Sequence, residues 1–249
     1  MKQILVWITF FAGVILIWDG VIRFGLVSPA ALARPLETFL TLPRLFLPSE
    51  NLADISSTVT RSLIAFLISI PCGLIAGVAC FYAGRAKAPG EFTIDFLRSI
   101  PATALVPMFL IIFGIGDSAK IAAATFSSSL VIALSVIIGL RGRNLTRLGV
   151  ARIFGLTGLK RVLLLDLPEA APQIFLGLRT GISLALILVV VAEMLIGSNH
   201  GVGKVILDMQ YTDDKGRMYA AIIVAGGIGY LYNLVLGLIE RSIHWRGYQ

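Results

Sequence analysis

The chain has 249 residues, of which 57% are hydrophobic and only 14% charged, and it carries a formal net charge of +7. A soluble globular domain carries about 25% charged residues, so the composition excludes one and points to a chain whose apolar surface faces lipid. The positive balance would suit nucleic acid or anionic lipid, but six of the 21 Lys and Arg lie between Arg141 and Arg161, a density that the bias of these residues toward cytoplasmic loops accounts for without nucleic acid.

Residues 62–84, 99–116, 121–140 and 218–239 contain no Asp, Glu, Lys or Arg; each is close to the ~20 residues that cross a bilayer as a helix. Two further apolar stretches contain or adjoin charges. The expectation is an all-α polytopic membrane protein, one transmembrane domain over 1–249, with about six spans near 4–25, 58–83, 96–115, 121–140, 174–197 and 218–240. Lys2 before an apolar run, with Ala31-Leu32-Ala33 after it, resembles a secretory signal. Asp19 and Arg23 interrupt that region and the cleavage-like site lies far from the apolar stretch, so an uncleaved first span is expected.

Residues 26–56 contain Pro29, Pro35, Pro43 and Pro48 and read as an external linker with a short surface helix. In the second span Gly73 and Gly77 share one helix face; they allow close approach of a neighbouring helix, or face lipid with no partner. Cys72 and Cys80 are about 12 Å apart along that helix, too far for a disulfide, and read as packing residues. Arg85, Lys87 and Glu91 mark the first inside turn. Pro101 and Pro107 then remove two backbone donors from the third span, so it should be kinked or discontinuous and packed within protein. Such breaks line transport paths, although a kinked helix in a static bundle has the same signature. Residues 113–120 make a short outer turn before the fourth span.

The inner loop, 141–172, concentrates the polar signals. Asn144 can cap one short helix, Gly155 supplies a turn, Thr157 can cap a second, and Pro168 ends it before the fifth span. A helix-turn-helix of this size projects as a rigid knob, and its charges alone would also serve as a topology determinant. With this loop inside, six spans place both termini inside, in agreement with Lys2, Arg241 and Arg246. Arg179 and Glu193 bracket the fifth span, about 21 Å apart and nearly on one face. Both are candidates for a wet path, Arg179 equally for snorkelling to the headgroups, and Glu193 for a gating or structural hydrogen bond. The segment Ser198-Asn-His-Gly-Val-Gly-Lys204-Val205 imitates a phosphate loop, but it lacks the leading Gly and the Ser or Thr after Lys. His200 and His244 fall on opposite sides of the membrane, so neither a triad nor a metal site is expected, and no catalytic residue is assigned.

The loop pattern resembles the membrane subunits of binding-protein-dependent ABC importers, in particular the nitrate, sulfonate, taurine and bicarbonate permeases. Those proteins share Glu-Ala-Ala, three residues, Gly, nine residues, Ile, one residue, Leu-Pro; here Gly149, Val150, Ala151, Gly155, Leu165, Leu167 and Pro168 keep the spacing. Gly149 stands where the family has Glu, which removes any ion pair that Glu would make while leaving the helical knob. The resemblance runs from about residue 48 to 245 and takes in 98–107, 113–120, 177–179 and 191–195 in the family's order. It implies a type I ABC importer-like fold, a homodimer, two ATPase subunits that bind ATP and Mg in place of any cofactor in this chain, and a periplasmic or lipid-anchored solute-binding protein. It also implies a bacterial inner membrane location and a coupling helix at 149–160: Gly149, Val150, Ala151, Arg152, Phe154, Gly155, Leu156, Thr157, Gly158 and Lys160. Pathway or gate candidates are Pro101, Pro107, Arg179, Glu193, Gly201 and Gly203, the last two in a glycine-rich outer turn. The family's solute is set largely by the binding protein, so nitrate, sulfonates, taurine, bicarbonate, aromatic acids and a thiamine precursor all stay open.

Two other classes fit parts of the sequence. An ion-coupled secondary transporter would carry paired ionisable groups in mid-span and internal repeats, neither of which the sequence displays clearly. A non-transporting membrane anchor for a soluble partner would use the loop but leave the proline-broken third span without a role.

Overall fold

The computed structural model describes residues 2–28, 31–46 and 49–242; Pro29, Pro48, His244 and Arg246 lie outside them. The described residues are almost wholly helical. Five helical segments are long and apolar enough to cross a membrane: Leu5–Arg23, Asn51–Tyr82, Asp117–Arg141, Gly158–Ile196 and Lys215–Ser242. A bent pair, Gly84–Ser99 with Ala102–Phe113, brings the number to six if it counts as one span. In chain order the α-helices are α1 (Lys2–Arg23), α2 (Pro35–Thr41), α3 (Ser49–Tyr82), α4 (Lys87–Ser99), α5 (Val106–Phe113), α6 (Asp117–Arg141), α7 (Leu145–Ile153), α8 (Gly158–Arg161), α9 (Leu167–Ile196), α10 (Val202–Tyr211) and α11 (Lys215–Ser242).

Helices α3, α6 and α9 form the centre, with Ala65, Phe66, Ile132, Val136, Leu140, Ala185 and Val189 among its buried residues. Their backbones meet through small residues. A Cβ on Gly73 would lie 2.6 Å from Ile132 Cβ, and one on Gly77 would lie 2.7 Å from the Ala133 carbonyl oxygen, which settles the two readings of this pair in favour of close contact. The same device recurs on the other side of α6, where Gly139 faces Ala170 and Gly177 faces Ser135, and Ser128 Oγ donates to the Gly181 carbonyl at 3.0 Å. Small residues are what let apolar helices associate where no hydrophobic force separates lipid from protein. Gly73→Ala and Gly77→Ala should each cost about 1–3 kcal/mol by overpacking. Gly227→Ala, at a position with open space, should not destabilise. Unfolding titrations in detergent test this, and equal stability for all three variants would overturn the packing argument.

The third span, expected at 96–115 and broken at its prolines, is discontinuous and begins earlier, as the pair Gly84–Ser99 and Ala102–Phe113. It is bent by 87°. Proline disfavours the helical region for the residue before it, and Ile100 is accordingly extended at φ −72°, ψ 127°. Pro107 falls in the first turn of α5, where its missing donor costs nothing. The eight residues of α5 reach only about 12 Å, so this element does not cross by itself. Both prolines are exposed on this chain. Cys80 is buried and Cys72 exposed, both free, so only Cys80 acts as a packing residue.

Two further boundaries differ. The linker is shorter than 26–56, because α3 begins at Ser49; its short helix α2 does not lie free, since Thr41 Oγ1 donates to the Gly216 carbonyl at 3.1 Å and Leu45 packs with Val202, Ile206, Ala220, Ala221 and Val224. Pro168 does not end a helix before the fifth span. It occupies the first turn of α9, and a five-residue π-helix, Val162–Asp166, carries α8 into α9 to make the 39-residue helical segment Gly158–Ile196.

Candidate functional site

The loop between α6 and α9 projects from one end of the bundle. Asn144 has the extended backbone of a helix cap, and its Oδ1 accepts from Thr146 N at 2.8 Å and Arg147 N at 3.3 Å. This satisfies donors the first turn of α7 leaves open. Gly155 then turns the chain at φ +70° and Gly158 at φ +55°, conformations that side chains with a Cβ resist. Thr157 precedes α8 with extended backbone but makes no side-chain cap. Of the loop residues singled out from sequence, Gly149, Val150, Arg152, Phe154, Gly155, Thr157, Gly158 and Lys160 are exposed and Leu156 is half-buried. Ala151 is not part of that face. It is 4% exposed and, with Leu148, packs toward the bundle.

Of the apolar tip, sequence reasoning named Phe154 and missed Ile153 and Leu159. Ile153 is 84% exposed, Phe154 79% and Leu159 70%, flanked by exposed Arg152 and Lys160. Nothing lies within 4 Å of a Cβ built on Gly149, which leaves room there for a larger side chain.

The opposite end of the bundle holds a buried ionic node. Glu193 is fully buried and accepts from Arg61 Nη1 at 2.7 Å, Thr58 Oγ1 at 2.9 Å and Gly203 N at 3.0 Å. Arg61 Nε also donates to Asp117 Oδ1 at 2.8 Å, and its Nη1 to the His200 carbonyl at 2.6 Å. Thr58 Oγ1 accepts from Val202 N at 2.8 Å, Asp54 Oδ1 accepts from Gly201 N at 2.9 Å, and Lys120 Nζ donates to Ser198 Oγ at 3.0 Å. Gly201 and Gly203 are thus used for close packing, while Gly197 has open space and supplies a turn at φ +81°. A Cβ on Gly201 would collide with the Glu193 carboxylate, and one on Gly203 with the Val190 carbonyl. A phosphate cradle is not what they form: Lys204 pairs with Asp208 at 3.0 Å within α10.

Glu193, Gly201 and Gly203 therefore come together, joined by Arg61, Asp54, Thr58 and Lys120, which the sequence reading passed over. Arg61 had a signal, as an ionisable residue inside an expected span. Arg179 stays apart and lies 3.4 Å from Glu240 of α11. Pro101 lines a cavity of about 240 Å³ at the bend, with Arg98, Ser99, Ser127 and Leu184; Pro107 is not among its lining residues. Glu193 stands about 5 Å of helix rise from the end of α9. Its pairing with Arg61 is therefore an end-of-helix node and not the mid-span couple an ion-driven carrier would need. Among the described residues no group of three His, Cys, Asp or Glu could hold a metal ion.

Comparison with known proteins agrees with this architecture. The family of binding-protein-dependent transport system inner membrane components matches residues 69–245. A Bacillus subtilis protein provisionally named as an aliphatic sulfonates transport permease, SsuC, is 29% identical over 94% of this chain and 85% of its own length. The taurine transport system permease protein TauC of Escherichia coli is 26% identical over 99% of this chain and 91% of its own length. The nitrate import permease protein NrtB of Leptolyngbya laminosa is 27% identical over 76% and 68%. In fold, a chain of the inward-facing MetNI methionine ABC transporter superposes with a TM-score of 0.70 at 20% identity, covering 80% of this chain and 97% of that one. The bent third span, the projecting loop and a family match across most of the length together identify the chain as a member of the binding-protein-dependent transport family, a multi-pass permease subunit of an ABC importer.

Proposed function

We propose that the chain works as a homodimer with two ATPase subunits on the loop side and a solute-binding protein on the opposite side, importing a small anionic solute of the sulfonate, taurine or nitrate kind. The loop side is then cytoplasmic, as are both termini. ATP and Mg bind in the partner, and hydrolysis belongs to it. The observation that carries this reading is the exposed apolar tip Ile153, Phe154 and Leu159 with its basic rim. A patch of this kind on an aqueous loop marks a protein contact, and the capped, glycine-turned knob presents it rigidly. ATP binding draws the two ATPases together, the knobs follow, and the permease pair exchanges inward for outward access. Each ligand acts only through its differential affinity for the two states.

Co-purification tests the reading. A tagged chain expressed with its neighbouring genes should bring down an ATPase, and the complex in liposomes should hydrolyse ATP faster when the loaded binding protein is added. Gly155→Leu, which strains the turn by about 1–3 kcal/mol, should weaken that association. If no ATPase is recovered, or uptake and ATP turnover are unchanged in Gly155→Leu, the importer assembly described above is wrong.

A further inference from the structure

A second buried ionic cluster lies at the loop end, outside the exposed knob. Asp166, fully buried in the π-helical segment, accepts from Tyr82 Oη at 2.5 Å and from Arg161 Nε at 3.0 Å, and lies 3.4 Å from Arg143 Nη1. Arg143 Nη1 also donates to Tyr82 Oη at 2.8 Å, and its guanidinium stands 5.0 Å from the Phe81 ring centre. The four residues have distinct positions in the chain. Arg143 leads into α7, Arg161 leaves α8, Tyr82 is the last residue of α3, and Asp166 ends the π-helical segment immediately before α9. One turn further along α9, Glu169 Oε2 accepts from Asn144 N at 3.1 Å and the Glu169 carboxylate lies 3.5 Å from Arg147.

We propose that Asp166 is the positioning residue through which movement of the knob reaches the membrane helices. Both legs of the loop are tied to one carboxylate, and that carboxylate is tied to the end of α3. Without the tie, force on α7 and α8 is spent bending residues 142–144 and the π segment, since a π-helix is a local weak point in the helical ladder. With it, the knob, α9 and α3 turn together. The arrangement suits a coupling device better than a purely stabilising one, because a buried ion pair contributes little net stability compared with apolar packing.

The inference rests on the proposed function, and the wild-type arm of the test separates the two. The full transporter, with its ATPase and binding protein, is reconstituted in liposomes, and solute taken up per ATP hydrolysed is measured. For Asp166→Asn the ratio should fall about tenfold, mid-range for a coupling between distant sites, with the ATPase still bound and still turning over. Tyr82→Phe removes the hydroxyl link to α3 and keeps the ring; it should lower the ratio in the same direction by less. Asp166→Glu, which restores the charge, should recover part of it. A ratio unchanged in Asp166→Asn and Tyr82→Phe, or uptake and hydrolysis falling in proportion, overturns the inference. Should Asp166→Asn fail to fold, the Tyr82→Phe ratio decides alone. A wild-type chain that recruits no ATPase defeats the proposed function instead.

Discussion

Glu193→Leu is expected to destabilise the folded chain by about 3–5 kcal/mol, the cost of leaving a buried charge without its partner. Arg61 would keep Asp117 at 2.8 Å, but that carboxylate is 57% exposed and compensates a buried guanidinium poorly. Thr58 Oγ1 and Gly203 N would lose their acceptor as well, each an unsatisfied buried donor. Glu193→Gln keeps an acceptor oxygen and should cost less. The pair Arg61→Met with Glu193→Leu should be more stable than Glu193→Leu alone, because the orphaned charge is gone. Unfolding midpoints of the wild type, Arg61→Met, Glu193→Leu and the double variant in one detergent give the cycle. A loss below about 1 kcal/mol for Glu193→Leu, the range of an exposed pair, would mean that water reaches the node.

The second large effect concerns the knob. Phe154→Asp is expected to weaken the complex with the ATPase by about 2–4 kcal/mol, the cost of removing an aromatic anchor at the centre of an interface; that is roughly 30- to 700-fold in Kd at 1.4 kcal/mol per decade. Because Phe154 is 79% exposed, the isolated permease should melt as before. Ala151→Asp provides the contrast: Ala151 is 4% exposed, so its substitution should lower permease stability first. Titration of purified ATPase onto immobilised permease reads the affinity. An unaltered Kd for Phe154→Asp would move the contact elsewhere on the loop.

The sequence made the helices legible because uncharged runs of membrane length have few alternatives. Asn144 and Gly155 were legible for local reasons, a side-chain cap and a left-handed turn that few residues provide. Pro101 gave the break but not its 87° angle or its exposure, which depend on packing against α3 and α6. The ionic nodes were hidden by distance along the chain. Arg61 and Glu193 are 132 residues apart, and helices that are apolar on every side carry no periodic signal to reveal which faces meet. Asp166 was hidden differently, as the unspecified residue between Leu165 and Leu167. Ile153 and Leu159 read as ordinary apolar residues of short helices until the turn at Gly155 carried them away from the bundle.

The glycine contacts that join α3, α6 and α9 also constrain how such a protein changes shape. Where a side chain fills the gap between helices, another rotamer can take up a sliding motion. Here Gly73 and Gly77 meet Ile132 and the Ala133 carbonyl, and Gly139 and Gly177 meet Ala170 and Ser135, so main chain bears on neighbouring atoms without slack. These three helices are consequently expected to move as one piece, with access alternating at the joints around them: the bend at Pro101, the seat of α10 on Glu193, and the boundary with whatever lies against the exposed faces of α1 and α5.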